Sequence, residues 1–130
     1  MADGPDSCAR SDDPTRLPDG LIVIVKQDCA TCRMVVPVLR DLAADPGLTI
    51  LVQDDPGFLD GLAHRSDVEL GFSWHHAIET VPTLISVRDG IEIERTVGWH
   101  RDEWRRITGG DGLGADLPAM RPGCGSLSVD

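Results

Sequence analysis

The chain has 130 residues, 41% of them hydrophobic, which suits one small domain with a single core and is too short for two domains with tails. Its formal net charge is −10 at pH 7 and no basic patch appears along it, which argues against nucleic acid and anionic membranes as partners. No run approaches the ~20 apolar residues of a membrane span. Residues 1–6 lack the basic start and apolar stretch of a secretory signal, so we expect a cytoplasmic protein.

The first half of the chain predicts two strands separated by a helix. Residues 1–19 are rich in Asp, Pro, Gly and Ser, which indicates a disordered lead. The continuous apolar run at 21–26 predicts a buried central strand. Apolar residues recur at three- and four-residue spacing from 30 to 44, as on one face of a helix, and Pro37 should kink that helix. A further apolar run predicts a strand at 48–52.

The second half of the chain predicts a β-hairpin followed by a closing helix. Strands are expected at 83–87 and 91–97, and the turn-forming pair Asp89-Gly90 between them makes the two strands antiparallel. A helix is expected at 101–108, with Trp104 facing inward.

Together these elements predict an α/β fold, with a central mixed four-stranded sheet flanked by helices. The stretch from 58 to 78 is the least regular, and only a helix near its start is indicated. The chain is thus expected to contain a disordered lead at 1–19, one folded domain at 20–109 and a flexible Gly- and Pro-rich tail at 110–130.

Cys29 and Cys32 stand between the first predicted strand and the first predicted helix. A thiol at a helix N-terminus meets unpaired backbone N–H groups and the helix dipole, which favour the thiolate. The second thiol lies one helical turn away, where it can close a disulfide with the first. In a reducing compartment a Cys-x-x-Cys pair is typical of redox or metal chemistry.

The residues around this pair resemble the thioredoxin family over roughly 20–109. The features that carry the resemblance are, in chain order, the motif Cys29-Ala30-Thr31-Cys32 at a helix start, Met34 and Pro37 behind it, the cis-proline segment Thr80-Val81-Pro82-Thr83-Leu84, the hairpin turn Asp89-Gly90, and Gly98 after the last strand. Because several linked features agree, the resemblance is more specific than a Cys-x-x-Cys pair alone. It implies the thioredoxin-like fold for the predicted sheet and helices.

The resemblance also implies a thiol–disulfide oxidoreductase that stores no cofactor. Cys29 would attack a protein or small-molecule disulfide, and Cys32 would resolve the mixed disulfide. Val81, before a cis Pro82, would offer backbone hydrogen bonds to an extended substrate, and Gly98 would flank the same groove. Electrons would come from an external reductase or a small thiol, and reduction of substrates is the favoured direction.

The residues around the motif depart from the usual sequence of the family. Asp28 replaces the tryptophan before the first cysteine, no proline sits between the two cysteines, and Val23 stands where the family has a buried carboxylate. The proton relay from Cys32 must therefore differ, through water or a nearby Asp. Asp28 would raise the pKa of Cys29 if it pointed inward. It can instead cap the helix, and Arg33 can offset its charge.

Two other classes of function remain open. One is a thioredoxin fold that docks a partner with little redox turnover, for which Cys29→Ser would leave partner binding intact. The other is a metal-binding protein that uses Cys29 and Cys32, with His75 and His76 completing a tetrahedral zinc site. Adjacent histidines point in different directions on any regular element, so we expect no metal site and place both histidines at the surface.

Two further cysteines and one aromatic pair lie beside these features. Cys124 is flanked by glycines that would let it reach the active site as an extra resolving thiol, but a free, exposed thiol without a role is the favoured interpretation. The sequence gives even less support for Cys8 as an extra resolving thiol. Trp99 and His100 follow Gly98, and they either flank the substrate groove or form a hydrophobic lid over the last helix.

Overall fold

The computed structural model describes residues 17–44, 47–59 and 61–127. Most of the predicted lead, including Cys8, lies outside the described residues. Its last residues are described, and there Leu17 packs on the core while the Asp19 carboxylate accepts a hydrogen bond from the backbone N–H of Gly90 at 2.8 Å. Within the described part of the chain, no helix is long and apolar enough to cross a membrane.

A five-stranded mixed sheet forms the centre of the molecule. The strands of the described chain are β1 (Gly20–Val25), β2 (Leu48–Val52), β3 (Arg65–Ser66), β4 (Thr80–Val81), β5 (Thr83–Arg88), β6 (Ile91–Val97), β7 (Trp99–His100), β8 (Met120–Arg121) and β9 (Cys124–Gly125). The order in the central sheet is β3-β2-β1-β5-β6. β1 runs parallel to β2 and antiparallel to β5, and β5 is antiparallel to β6. The mixed sheet is confirmed, and the prediction of four strands is short by β3, whose two residues show no hydrophobic pattern.

β1 is central because it is apolar on both sides. Its residues from Leu21 to Val25 are all buried, although successive side chains of a strand point to opposite faces. Both faces of the sheet are therefore covered at this strand. Burial of each such side chain stabilises the folded chain by roughly 1.5–3 kcal/mol. β1 therefore holds the start of the loop that follows it in a fixed position.

The helix predicted at 30–44 is two helices. α1 spans Ala30–Met34, α2 spans Val36–Leu42, and the backbone turns between them at Val35. Pro37 lies in the first turn of α2, where a backbone N–H would have no partner within the helix, so its absence costs nothing. Proline could not donate the backbone hydrogen bond that would continue α1 through this position. The interruption predicted from Pro37 is confirmed.

The region from 56 to 78 contains only short elements. A 3₁₀ turn covers Pro56–Leu59, β3 pairs with β2, and α3 spans Gly71–His75. The carboxylate of buried Asp67 accepts hydrogen bonds from the backbone N–H groups of Phe72 and Ser73, each at 3.0 Å, and so holds the start of α3. A hydrogen-bonded side chain, rather than an apolar period, organises this region.

The hairpin and the closing helix agree with their predictions. Asp89 and Gly90 both have positive φ, 56° and 76°, as a tight turn between antiparallel strands requires. α4 spans Arg101–Thr108, and Trp104 is fully buried on it. His100 is the N-cap of α4, and Gly109 ends the helix in the left-handed region with φ 77°.

The C-terminal segment, which we define as residues 110–127, corrects the prediction of a flexible, extended tail. Leu113 is buried, and the indole N–H of Trp99 donates to the carbonyl of Pro118 at 2.7 Å. β8 pairs with β7 and β9 pairs with β4, both antiparallel. Small residues permit this close packing rather than preventing it, because a Cβ at Gly114 would overlap the Trp99 ring. Composition alone suggested a tail because Gly and Pro leave no hydrophobic period.

Candidate active site

Cys29 lies at the N-cap of α1, directly after the loop that leaves β1. Its backbone is extended, with φ −160°, and its Sγ accepts a hydrogen bond from the backbone N–H of Cys32 at 3.3 Å. Asp28 does not cap this helix, which was one of the two roles left open for it, because the cap is the cysteine itself. Asp28 is exposed, and Arg33 donates to the carbonyl of Gln27 at 2.5 Å.

Asp54 fixes the loop that carries Cys29. Its carboxylate accepts hydrogen bonds from the backbone N–H groups of Gln27 at 2.7 Å and Asp28 at 3.0 Å. Burial raises the pKa of Asp54, but these N–H groups lower it by more, so the net pKa lies below the ordinary value. The carboxylate is therefore charged where it holds the loop.

The two thiols of the motif have opposite environments. Burial raises the pKa of Cys29, but hydrogen bonds from the thiol of Cys124 and from the backbone N–H of Cys32 outweigh it, so the net pKa is lowered. Cys32 is completely buried, and that burial raises its pKa strongly, with partial offset from the backbone N–H of Lys26. Cys29 is consequently the thiol that ionises first, while Cys32 keeps its proton. Val23, at the position where the family has a carboxylate, is fully buried.

The cis-proline segment packs against Cys29. The Val81-Pro82 peptide bond is cis, as the resemblance implied, and the carbonyl oxygen of Val81 lies 3.7 Å from the Cys29 Sγ. The backbone N–H of Gly98 donates to the carbonyl of Pro82 at 2.7 Å. The structure thus brings Cys29, Cys32, Val81, Pro82 and Gly98 together at one end of the sheet.

Cys124 lies beside Cys29, which corrects the expectation of an exposed thiol on a flexible tail. β9 pairs with β4 so that Cys124 lies opposite Val81, and the Sγ atoms of Cys124 and Cys29 are 2.6 Å apart. Cys124 is a free thiol, as expected, but it is only partly exposed. Its hydrogen bond to Cys29 raises its pKa, as do burial and the charge of Cys29. Of these two thiols, Cys29 is therefore the one that ionises more readily.

Three buried polar residues that the sequence analysis did not select hold the C-terminal segment at this site. The hydroxyl of Thr31 donates to the carbonyl of Pro122 at 2.7 Å, and the ammonium of Lys26 donates to the carbonyl of Gly125 at 2.7 Å. The third is Gln53, whose amide N–H donates to the hydroxyl of Ser126 at 2.6 Å.

The sequence carried a weak signal for two of these three residues. Lys26 is the only lysine, it follows an apolar run, and Gln53 follows another such run. A polar residue at the end of a buried strand needs a partner, and the partner here is distant in sequence.

The aromatic and histidine residues outside the motif have structural positions. Trp99 is fully buried against Trp104, with ring centroids 5.2 Å apart, which agrees with a lid over the last helix rather than a groove wall. Trp74 is 72% exposed, and His75 is exposed beside it. Among the described residues, no group of three or more His, Cys, Asp or Glu side chains is placed to hold a metal ion.

Similar sequences are those of thioredoxins. The chain is 35% identical to a thioredoxin of Chlamydia trachomatis over 82 residues, which cover 61% of this chain and 70% of that protein. It is 28% identical to thioredoxin H-type 1 of Nicotiana tabacum over 75 residues, which cover 58% of this chain and 52% of that protein. No protein-family model matches the chain.

Solved structures share the fold at lower identity. A secreted disulfide oxidoreductase of Mycobacterium tuberculosis superimposes with a TM-score of 0.54 at 14% identity, covering 75% of this chain and 98% of that one. The thioredoxin of Malassezia sympodialis gives a TM-score of 0.50 at 19% identity, covering 71% of this chain and 76% of that one. These likenesses confirm the predicted α/β fold with a mixed sheet and helices.

Proposed function

The chain belongs to the thioredoxin family of thiol–disulfide oxidoreductases, and on this premise we propose that it reduces protein disulfides with Cys29-Ala30-Thr31-Cys32 as its active-site motif. One observation carries the assignment of roles. The Cys29 thiol has a lowered pKa at the start of α1, one turn before a buried Cys32 and beside the cis Pro82. A thiolate at a helix start is the nucleophile of such reactions. Cys29 is 3% exposed in this structure, with Cys124 of β9 against it.

The exchange runs in two steps that balance. The Cys29 thiolate attacks one sulfur of the substrate disulfide, forming a mixed disulfide and releasing the other sulfur as a thiolate. Cys32 then loses its proton, attacks the Cys29 Sγ and releases the reduced substrate. Two electrons pass from the pair to the substrate. The buried environment that raises the pKa of Cys32 delays this second step until a base or water accepts the proton.

We propose that the substrate binds as an extended strand along β4. The backbone of Val81 would pair with it, Pro82 would fix the direction of that backbone, and Gly98 would leave room on the other side. The positive φ of Gly98, 72°, and the Gly123 nitrogen 2.9 Å from the position of its absent Cβ support the need for glycine here. The groove is filled by β9 in this structure, so a substrate strand must replace β9.

The need for an external electron donor follows from the same chemistry. A pair that ends each cycle as a Cys29–Cys32 disulfide needs an external reductase or a small thiol to return it to the dithiol. We propose a cytoplasmic setting with substrate reduction as the direction.

The decisive experiment is a redox titration of the motif in a Cys8→Ser/Cys124→Ser variant. The variant is equilibrated with glutathione buffers, alkylated and analysed by mass spectrometry. We expect a reversible two-electron transition at a potential well below that of the glutathione pool. An oxidising potential would contradict the reductase direction. Failure to form a Cys29–Cys32 disulfide in any of the glutathione buffers would contradict the proposed function.

Turnover supplies the second readout. With insulin as the disulfide substrate and dithiothreitol as the donor, Cys29→Ser should abolish the catalysed reduction, because no attacking thiolate remains. Cys32→Ser, combined with Cys124→Ser so that no second thiol faces Cys29, should instead trap mixed disulfides on Cys29. A wild-type chain without catalysed turnover, whose Cys29→Ser variant still captures the same partners, would favour a binding module.

A further inference from the structure

The C-terminal segment occupies the active-site groove in the manner of an extended peptide. β9 is antiparallel to β4, with Cys124 opposite Val81 and Gly125 opposite Thr80. This is the backbone to which we assign substrate pairing, so the segment and a substrate compete for the same hydrogen bonds. The segment also presents a cysteine to Cys29, with the two Sγ atoms 2.6 Å apart.

The fit of the C-terminal segment against β4 depends on Gly123 but not on the next glycine, Gly125. A Cβ added to Gly123 would lie 2.7 Å from the Thr80 Cγ2 and still closer to the Val81 carbonyl oxygen. A Cβ added to Gly125 would meet nothing within 4 Å. Packing of the segment against β4 therefore requires glycine immediately before Cys124, whereas position 125 tolerates a larger residue.

The motif itself contributes to holding the segment. The Thr31 hydroxyl, between the two motif cysteines, donates to the carbonyl of Pro122, and Lys26 donates to the carbonyl of Gly125. Both side chains are buried, Thr31 with 2% and Lys26 with 9% of their surface exposed. A buried polar group without a partner costs about 1–3 kcal/mol, so these contacts favour the segment over an empty groove.

We propose that Cys124 is a third redox-active residue, which forms a disulfide with Cys29 and thereby holds the C-terminal segment in the groove. The inference depends on the proposed function only in taking Cys29 as the attacking thiol. A disulfide has an S–S length of about 2.05 Å, so the sulfurs need to approach by only about 0.5 Å from their present separation. In that state the oxidised chain excludes extended substrates from its own site.

The reaction balances with a small-molecule disulfide as oxidant. The Cys29 thiolate attacks oxidised glutathione, forms a mixed disulfide and releases one glutathione thiolate. Cys124 gives its proton to solvent and attacks the Cys29 Sγ, and the second glutathione leaves as a thiolate. Two electrons pass from Cys29 and Cys124 to glutathione. Cys32 can later displace Cys124 from Cys29, which converts one internal disulfide into the other with no net electron transfer.

Disulfide mapping in a Cys8→Ser/Cys32→Ser variant tests the proposal. Trypsin places Cys29 in a peptide of residues 27–33 and Cys124 in a peptide of residues 107–130, because cleavage does not occur before Pro122. After equilibration with oxidised glutathione and alkylation of free thiols, we expect these two peptides to be linked in most molecules. Glutathione retained on Cys29 beside an alkylated Cys124 would overturn the proposal.

Two comparisons show whether the fold directs this disulfide. In the same background, Gly123→Ala should lower the ratio of linked to glutathionylated chains roughly tenfold, because overpacking displaces the segment. Gly125→Ala should leave the ratio unchanged. The Cys8→Ser/Cys32→Ser variant should also form roughly tenfold less Cys29–Cys124 disulfide in denaturant than in the native state, because folding raises the effective concentration of one thiol near the other. Equal linkage in both alanine variants and in denaturant would overturn a directed disulfide.

The result is separable from the proposed function. If Cys29–Cys32 titrates normally in the Cys8→Ser/Cys124→Ser variant but no Cys29–Cys124 link forms in the mapping variant, only this inference fails. If Cys29–Cys32 never forms while Cys29 and Cys124 link, the assignment of Cys32 fails and the third thiol stands.

Discussion

The central sheet and the C-terminal segment are held in place by different forces. Five consecutive residues of β1 are buried and apolar, so their contacts are numerous and non-directional. The C-terminal segment exposes 59% of Met120 and 40% of Leu127, and it is held largely by hydrogen bonds from buried polar residues of the domain. Loss of the sheet would therefore unfold the domain, whereas our proposal requires that another strand with the same backbone groups can replace β9 of the segment.

The largest expected loss of stability comes from replacing a large core side chain with a small one. Leu84 is fully buried on β5, opposite Val23 of β1, and Leu84→Ala should reduce the free energy of unfolding by about 2–5 kcal/mol. Urea unfolding followed by circular dichroism measures this loss. Ile93→Ala on the neighbouring strand β6 is the matched control, because Ile93 is 55% exposed, and it should change stability by less than about 0.5 kcal/mol. Equal losses in the two variants would contradict the placement of the core.

A smaller effect is expected where the domain holds the segment. The Gln53 amide donates to the hydroxyls of Ser73 and Ser126, and its oxygen accepts from the backbone N–H of Leu127 at 3.1 Å. Gln53→Ala should cost about 1–3 kcal/mol, because buried groups lose their partners.

The location of that loss distinguishes the segment from the sheet. Hydrogen exchange should quicken at the Ser126 amide, which donates to the carbonyl of Glu79, more than at amides of β1. The exposed Gln27, changed to Ala, serves as the control of the same residue type. Uniform loss of protection in the sheet and the segment would show that the two regions open together.

The pH dependence of Cys29 reports on contact with the segment. The hydrogen bond from Cys124 lowers the pKa of Cys29, so Cys124→Ala should raise that pKa and move the alkylation profile of Cys29 to higher pH. Cys124→Ser keeps a hydroxyl donor and should move the profile less. Rates of reaction with iodoacetamide across a pH series, read on the peptide that carries Cys29, measure the shift. Identical profiles in the wild-type chain and the alanine variant would contradict a thiolate that is hydrogen-bonded to Cys124.

The smallest effect is expected at the loop before Cys29. The folded-state pKa of Asp54 is lowered, so its contribution is present above the unfolded pKa of about 3.9 and is lost as pH falls through the folded value. Asp54→Asn should therefore destabilise the chain near neutral pH, by about 1 kcal/mol or less since the group is partly exposed, and the difference should shrink in acid.

Thermal unfolding over a pH series checks the sign of this effect. The exposed Asp41 on α2, changed to Asn, is the control for removal of one negative charge. A difference between Asp54→Asn and the wild-type chain that grows toward acid would contradict the lowered pKa.

Sequence reasoning succeeded where short-range patterns dominate. The apolar run of β1, the Asp89-Gly90 turn and the Cys29–Cys32 spacing each occupy a few consecutive residues, and their structures follow from periodicity, turn conformation and helix geometry. It failed at β3, because two residues are too few to show a hydrophobic pattern. It also left the role of Asp28 open, because the backbone N–H of Asp28 is bound by the distant Asp54 carboxylate.

Patterns among neighbouring residues were enough to predict four of the five strands of the central sheet, the redox motif and the resemblance to thioredoxins. The position of the C-terminal segment, and hence of Cys124, depends instead on long-range contacts of the folded chain. Cys29 and Cys124 are 95 positions apart, and the contacts that join them use glycine, carbonyl groups and single buried polar side chains. Such contacts have no period along the chain, so their pairing appears only when the fold brings both sides together.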